Sequence, residues 1–225
     1  MATTSPDIRA ASDVAYTAFE DTVTEEVPRM SPLAEDSSAV LFFNGGSRGN
    51  PGPGGAGAII ITNSGSLESA GVRWMCSIFL AASTTTHNAA AYKALLFGLR
   101  KALGYHLQRL HVVGDSDLIL GQLRCRRPPQ AQHLKDLYRQ CRLVGDRLGV
   151  ATWTHHLRHF NKMANAMAKI AMDSGRSIQV LGPEVALLPP EWAVVTTYLR
   201  SDLGHWHDLL WDTARQADRQ RDDPE

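Results

Sequence analysis

The feature that most narrows the fold is the order in which the apolar spacing changes between residues 39 and 173. Ala39-Val-Leu-Phe-Phe43 is a continuous apolar run halted by glycine, the pattern of a buried strand. Ala58–Thr62 reads as a second strand, and the turn chemistry of Asn63-Ser-Gly65 leads to a third around Ser69–Ile78. The spacing then turns helical, with Tyr92, Leu95, Leu96, Leu99 and Leu103 at intervals of three and four. This predicts a helix over Ala89–Leu103, with Thr86 or Asn88 as its cap and Gly104 just past its end.

Leu110–Val113 is a fourth strand that runs into Gly114-Asp115-Ser-Asp117, where the aspartates are expected to cap a short helix carrying Leu118, Ile119 and Leu123. A basic turn at 124–129 precedes a helix over Gln132–Leu148, a fifth strand over Val150–Thr154 and a last helix over Asn161–Asp173. Three hairpin-connected strands followed by alternating helices and strands imply an α/β domain. The expected sheet is five-stranded and mixed, three antiparallel strands and then two further strands, flanked by helices. In open sheets of this class, sites gather at strand ends where the connections diverge.

Lysine and arginine together number 23, as do aspartate and glutamate, so no global field steers the molecule to a polyanion and any such contact is local. Cys76, Cys125 and Cys141 are odd in number and fall in no metal-ligand spacing, which argues against a disulfide framework or a zinc site and fits a reducing compartment. The polar N-terminus lacks a signal-like apolar core, and no stretch has the length of a membrane span, so a soluble intracellular protein is expected. Residues 1–37 read as a loosely ordered leader, 38–175 as the domain, 176–200 as a linker and 201–225 as an amphipathic helix with a polar tail. In that helix Leu203, Trp206, Leu209, Leu210 and Ala214 share one side, and Trp206 and Trp211 leave two roles open: packing on the domain, or docking a protein partner.

Four segments, FFNGGSRGNPGPGGAG at 42–57, THNAAAYKALLFGL at 86–99, VVGDSDLILGQL at 112–123 and HHLRHFNKMANAMAKIAMD at 155–173, follow one another with the spacing of a known family. Together they resemble the type 1 ribonuclease H family, in the branch found in plant, archaeal and retroelement-derived proteins. The resemblance implies a ribonuclease H-like fold, hydrolysis of the RNA strand of an RNA/DNA hybrid, and four carboxylates holding two Mg²⁺ ions. The matching positions here are Asn44, Ala91, Asp115 and Asn165, so one carboxylate remains. Two dications ~4 Å apart repel by roughly 16 kcal/mol at an effective dielectric of about 20, which a single aspartate does not offset. His155 matches the family's loop histidine, associated with proton transfer or product release, but imidazole is a poor Mg²⁺ ligand. Asp115 and His155 are thus the remaining catalytic candidates, Asp115 is the one candidate metal ligand, and Mg²⁺ is expected to bind weakly or not at all.

Nucleic-acid binding does not need the metals. The resemblance places Gly45, Gly46, Ser47, Arg48, Asn50, Thr86, Asn88, Arg158 and Asn161 on the bound strands. For the glycines the alternative is a tight turn, for Thr86 and Asn88 it is helix capping, and for the arginines it is simple solvation. The run Arg124, Arg126, Arg127, Lys135, Arg139 and Arg142 is either a DNA-gripping patch or a solvated helix face. Three functions follow: a hybrid- or duplex-binding protein with little or no cleavage, an active ribonuclease H with a rebuilt metal site, and a pseudoenzyme serving protein interaction.

Overall fold

The computed structural model describes residues 38–63, 66–182 and 190–222. The leader at 1–37, the turn residues 64 and 65 and the last three residues of the tail lie outside them. The sheet has six strands, not five, in the order β5-β4-β1-β2-β3-β6. Its first three are β1 (Ser38–Ser47), β2 (Gly54–Asn63) and β3 (Gly71–Leu80), an antiparallel meander. Helix α1 (His87–Gly104) leads to β4 (Leu110–Gly114), which lies parallel to β1. Helices α2 (Asp117–Arg124) and α3 (Gln132–Leu148) precede β5 (Thr152–His155), parallel to β4. Helix α4 (Lys162–Ser174) is followed by β6 (Ile178–Leu181), α5 (Pro190–Thr197) and α6 (Leu199–Asp222).

The segment expected to be a linker, 176–200, therefore holds a strand and a helix. β6 pairs antiparallel with β3, from Ser77 opposite Ile178 to Trp74 opposite Leu181, and so occupies an edge that the five-strand reading left open.

Alternation along the strands sends side chains to two cores. Ala39, Leu41 and Phe43 pack on one side with Tyr92, Leu95, Leu99 and Leu134, from α1 and α3. Val40, Phe42, Ile59 and Ile61 pack on the other with Met163 and Met167 of α4, Trp192 and Val195 of α5, and Leu203 and Trp206 of α6. Trp206 and Leu203 are buried in that packing, so these two side chains take the first of the two roles, packing on the domain. Trp211 and Ala214, expected on the same side, fall outside the residues whose side chains are described.

The glycine-rich segment 45–57 is mostly strand, because glycine is what lets helices approach the sheet here. A methyl group at Gly45 would lie 2.1 Å from the backbone N of Ala91, and one at Gly57 would lie 2.3 Å from the carbonyl O of Ala164. The first contact brings the start of α1 against β1, and the second seats α4 on β2. Cys76, Cys125 and Cys141 are free thiols. Among the described residues no helix is long and apolar enough to cross a membrane.

Candidate functional site: a nucleic-acid interface at the strand ends

Strand register aligns the site. Phe43 stands opposite Gly114 and Gly114 opposite His155, so Asn44 and Asp115 each lie one residue beyond the same row. Helix α4 brings Asn165 to the same place, and α1 brings Ala91. The four matching positions do converge, but as a hydrogen-bonded polar network. Asn44 Nδ2 donates to Asp115 Oδ2 at 3.3 Å and to Asn165 Oδ1 at 3.2 Å. Arg158 donates to Asn165 Oδ1 at 3.0 Å. Asn44 Oδ1 accepts the Gly45 backbone N–H at 2.7 Å, which fixes the orientation of the amide.

Burial pushes the Asp115 carboxyl above the ordinary carboxylate range, against the opposing pull of its own backbone N–H, Arg158, Asn161 and His155. His155 ends β5 and is exposed. The donor set does not fit paired Mg²⁺. One carboxylate is present, an N–H₂ group points between it and Asn165, and among the described residues no three His, Cys, Asp or Glu side chains group as metal ligands.

A cavity of about 360 Å³ opens over this network, lined by Asn44, Gly46, Ser47, Asn88, Ala91 and Arg158 among others. Gly45 and Asp115 also line it. The Ser47 hydroxyl is buried and has no hydrogen-bond partner.

Several expected contact residues make structural hydrogen bonds or ion pairs. Thr86 caps α1, its Oγ1 accepting from the Ala89 N–H at 3.2 Å. Asn50 accepts the His87 N–H at 3.0 Å and so serves the same helix start. Asn161 is fully buried and donates to the Phe43 carbonyl at 2.9 Å, which ties the histidine loop to β1. Arg48 pairs with Asp173 at the surface, 2.5 Å away. The cap of α2 is Ser116, not an aspartate, with Asp117 exposed in the first turn.

In the basic run, Arg126 and Arg142 both meet Asp146, and Arg139 meets Asp136. That places half of the run in ion pairs with carboxylates of α3.

Sequence reading missed Asp202. It is fully buried on α6, and its Oδ2 accepts the Met163 N–H of α4 at 2.8 Å. The signal was indirect: the side chain of Asn161, at the start of α4, makes no capping bond. His205 stacks on Phe160 with centroids 3.6 Å apart, and no sequence pattern marked that contact.

A family model described as reverse transcriptase-like matches residues 42–171. A bifunctional protein of Mycobacterium tuberculosis is 31% identical over 135 residues, 60% of this chain and 35% of that protein. Ribonuclease HI of Halobacterium salinarum is 29% identical over 134 residues, 59% of this chain and 63% of the enzyme. The chain thus aligns with about a third of the curated mycobacterial relative.

Among solved structures, the N-terminal RNase H domain of that mycobacterial protein matches with TM-score 0.55 and 29% identity, over 61% of this chain and 94% of the solved one. An RNase H1 from compost, solved in complex with an RNA/DNA hybrid, matches with TM-score 0.54 and 25% identity, over 61% of this chain and 99% of the solved one. A match that runs from the strand bearing Asn44 to the helix bearing Asn165, shared in sequence and in three dimensions, makes this chain a member of the reverse transcriptase-like, RNase H-like family.

Proposed function

We propose that this chain holds nucleic acid, an RNA/DNA hybrid or a related duplex, at the ends of β1 and β4 without two-metal hydrolysis. The observation that carries the reading is the Asn44 amide, hydrogen-bonded to both Asp115 and Asn165 where a hydrolytic site would need negative oxygens around cations. The cavity above it, with Gly46, Ser47, Asn88 and Arg158 on its walls, supplies the backbone access and donors that a phosphate or 2′-hydroxyl needs. The hybrid bound to the compost RNase H1 supports hybrid as the first ligand to try.

A labelled hybrid incubated with the purified chain in Mg²⁺ or Mn²⁺ tests the hydrolysis half. The expected outcome is no scission above an Asp115→Asn control. Cleavage that this substitution abolishes would establish an active ribonuclease H with a rebuilt site. A gel-shift titration across salt tests the binding half, with a retarded hybrid that weakens as salt rises as the expected result. No shift of hybrid, duplex RNA or duplex DNA at low salt would move the function to protein interaction.

A further inference from the structure

The amide of Asn44 is not free to turn. Its oxygen is held by the Gly45 N–H, so its N–H₂ group faces Asp115 and Asn165. A cation entering between those residues would meet hydrogen-bond donors. Flipping the amide to offer its oxygen would set N–H₂ against the Gly45 N–H. The network therefore satisfies itself where an active relative's ligands would require metal.

Charge bookkeeping agrees. Four carboxylates balance two dications, whereas here one carboxylate, Asp115, shares the cavity with one guanidinium, Arg158. The site is neutral without an ion, so a divalent cation gains little by entering.

One donor remains oriented toward this space. Arg158 is exposed and uses one N–H₂ group on Asn165, which leaves guanidinium N–H groups for an acceptor. It suits a phosphate oxygen.

We infer that the Asn44–Asp115–Asn165–Arg158 network is a metal-independent seat for a backbone phosphate of nucleic acid, with Arg158 supplying the positive charge. This rests on the binding reading above and specifies how that binding is regulated: divalent ions do not gate it.

Fluorescence polarisation of a labelled RNA/DNA hybrid, in EDTA and in Mg²⁺ at matched ionic strength, tests it on the unaltered chain. The expected dissociation constant changes by less than about twofold between the two conditions, since no counter-ion site is filled. A tenfold or larger tightening by Mg²⁺ overturns the inference while leaving binding intact. No binding in either condition overturns the binding reading itself, and the inference with it.

Two variants sharpen the test, each checked for folding by circular dichroism. Asn44→Asp sets a second carboxylate beside Asp115 and is expected to weaken binding in EDTA about tenfold and to make it Mg²⁺-responsive. Arg158→Ala is expected to lower the slope of affinity against salt by about one. Folded variants that bind as the unaltered chain does, with the same metal response and the same salt slope, would exclude the seat.

Discussion

Asp202 and the Asn44 network are two answers to one problem, a buried polar position next to α4. At the start of that helix Asp202 keeps its carboxylate, because the Met163 N–H points at it and the Lys162 N–H and charge lie beside it. Less than one helical turn away, Asn165 and Asn44 carry amides, and the one carboxylate they meet belongs to Asp115. A buried negative charge persists where N–H groups or cations meet it. Around Asn44 and Asn165 one backbone N–H and one guanidinium serve the two amide oxygens, and neutral amides make these contacts at lower desolvation cost than two more carboxylates beside Asp115 would.

If the C-terminal helix only leaned on the domain, removing its anchor would cost little. Trp206→Ala is instead expected to destabilise the chain by about 3–5 kcal/mol, read as a lowered urea midpoint, because the ring is buried between α6 and the sheet.

The comparison also has a pH signature. Burial pushes the Asp202 carboxyl up to about 6, against the Met163 and Lys162 N–H groups and the Lys162 charge. Burial also pushes His156 down to about 4, assisted by His205 and His155 and opposed by the Phe160 carbonyl it meets. A raised carboxyl contributes stability that is full below the ordinary value of 3.8 and is lost as pH rises through about 6. A depressed imidazole contributes stability that is full above 6.5 and is lost as pH falls toward about 4. The two slopes oppose each other across the shared window. Asp202→Asn should therefore leave a chain that loses stability as pH falls from 6.5 to 4, and His156→Gln one that gains stability as pH falls from 6 to 4. Denaturant midpoints across that range check both signs, and parallel profiles for the two variants would break the comparison.

The smallest effect is expected at the surface. Arg48→Ala breaks the pair with Asp173, whose side chains are 62% and 51% exposed, and should shift stability by less than about 1 kcal/mol in a thermal melt.

The sequence made much of this legible, for identifiable reasons. Helix α3 was predicted over the bounds it occupies, since its apolar stripe and the glycine that follows it are both local signals. β1 and β2 run further than predicted because glycine disfavours strands in isolation, and only the packing of α1 and α4 explains its use at Gly45 and Gly57. β6 has four residues and little alternation, so nothing local announced it.

At the site, the convergence of positions 44, 91, 115 and 165 was implied by the family resemblance of the four motifs. Which side chains face the cavity was not. Thr86, Asn50 and Asn161 belong to the same motifs as Asn88 and Arg158, yet they spend their polar groups on helix α1 and on the Phe43 carbonyl. Spacing identifies neighbours, but the choice among hydrogen-bond partners is made in three dimensions.

Helices on both sides of the sheet, with β6 along one edge, also restrict the direction of approach. A rod-shaped ligand cannot lie flat across the strands, because α1 and α3 block one broad surface and α4, α5 and α6 the other. The Asn44–Asp115 network instead opens to solvent past the row where β1 and β4 pair, so a ligand reaches it from that end of the sheet.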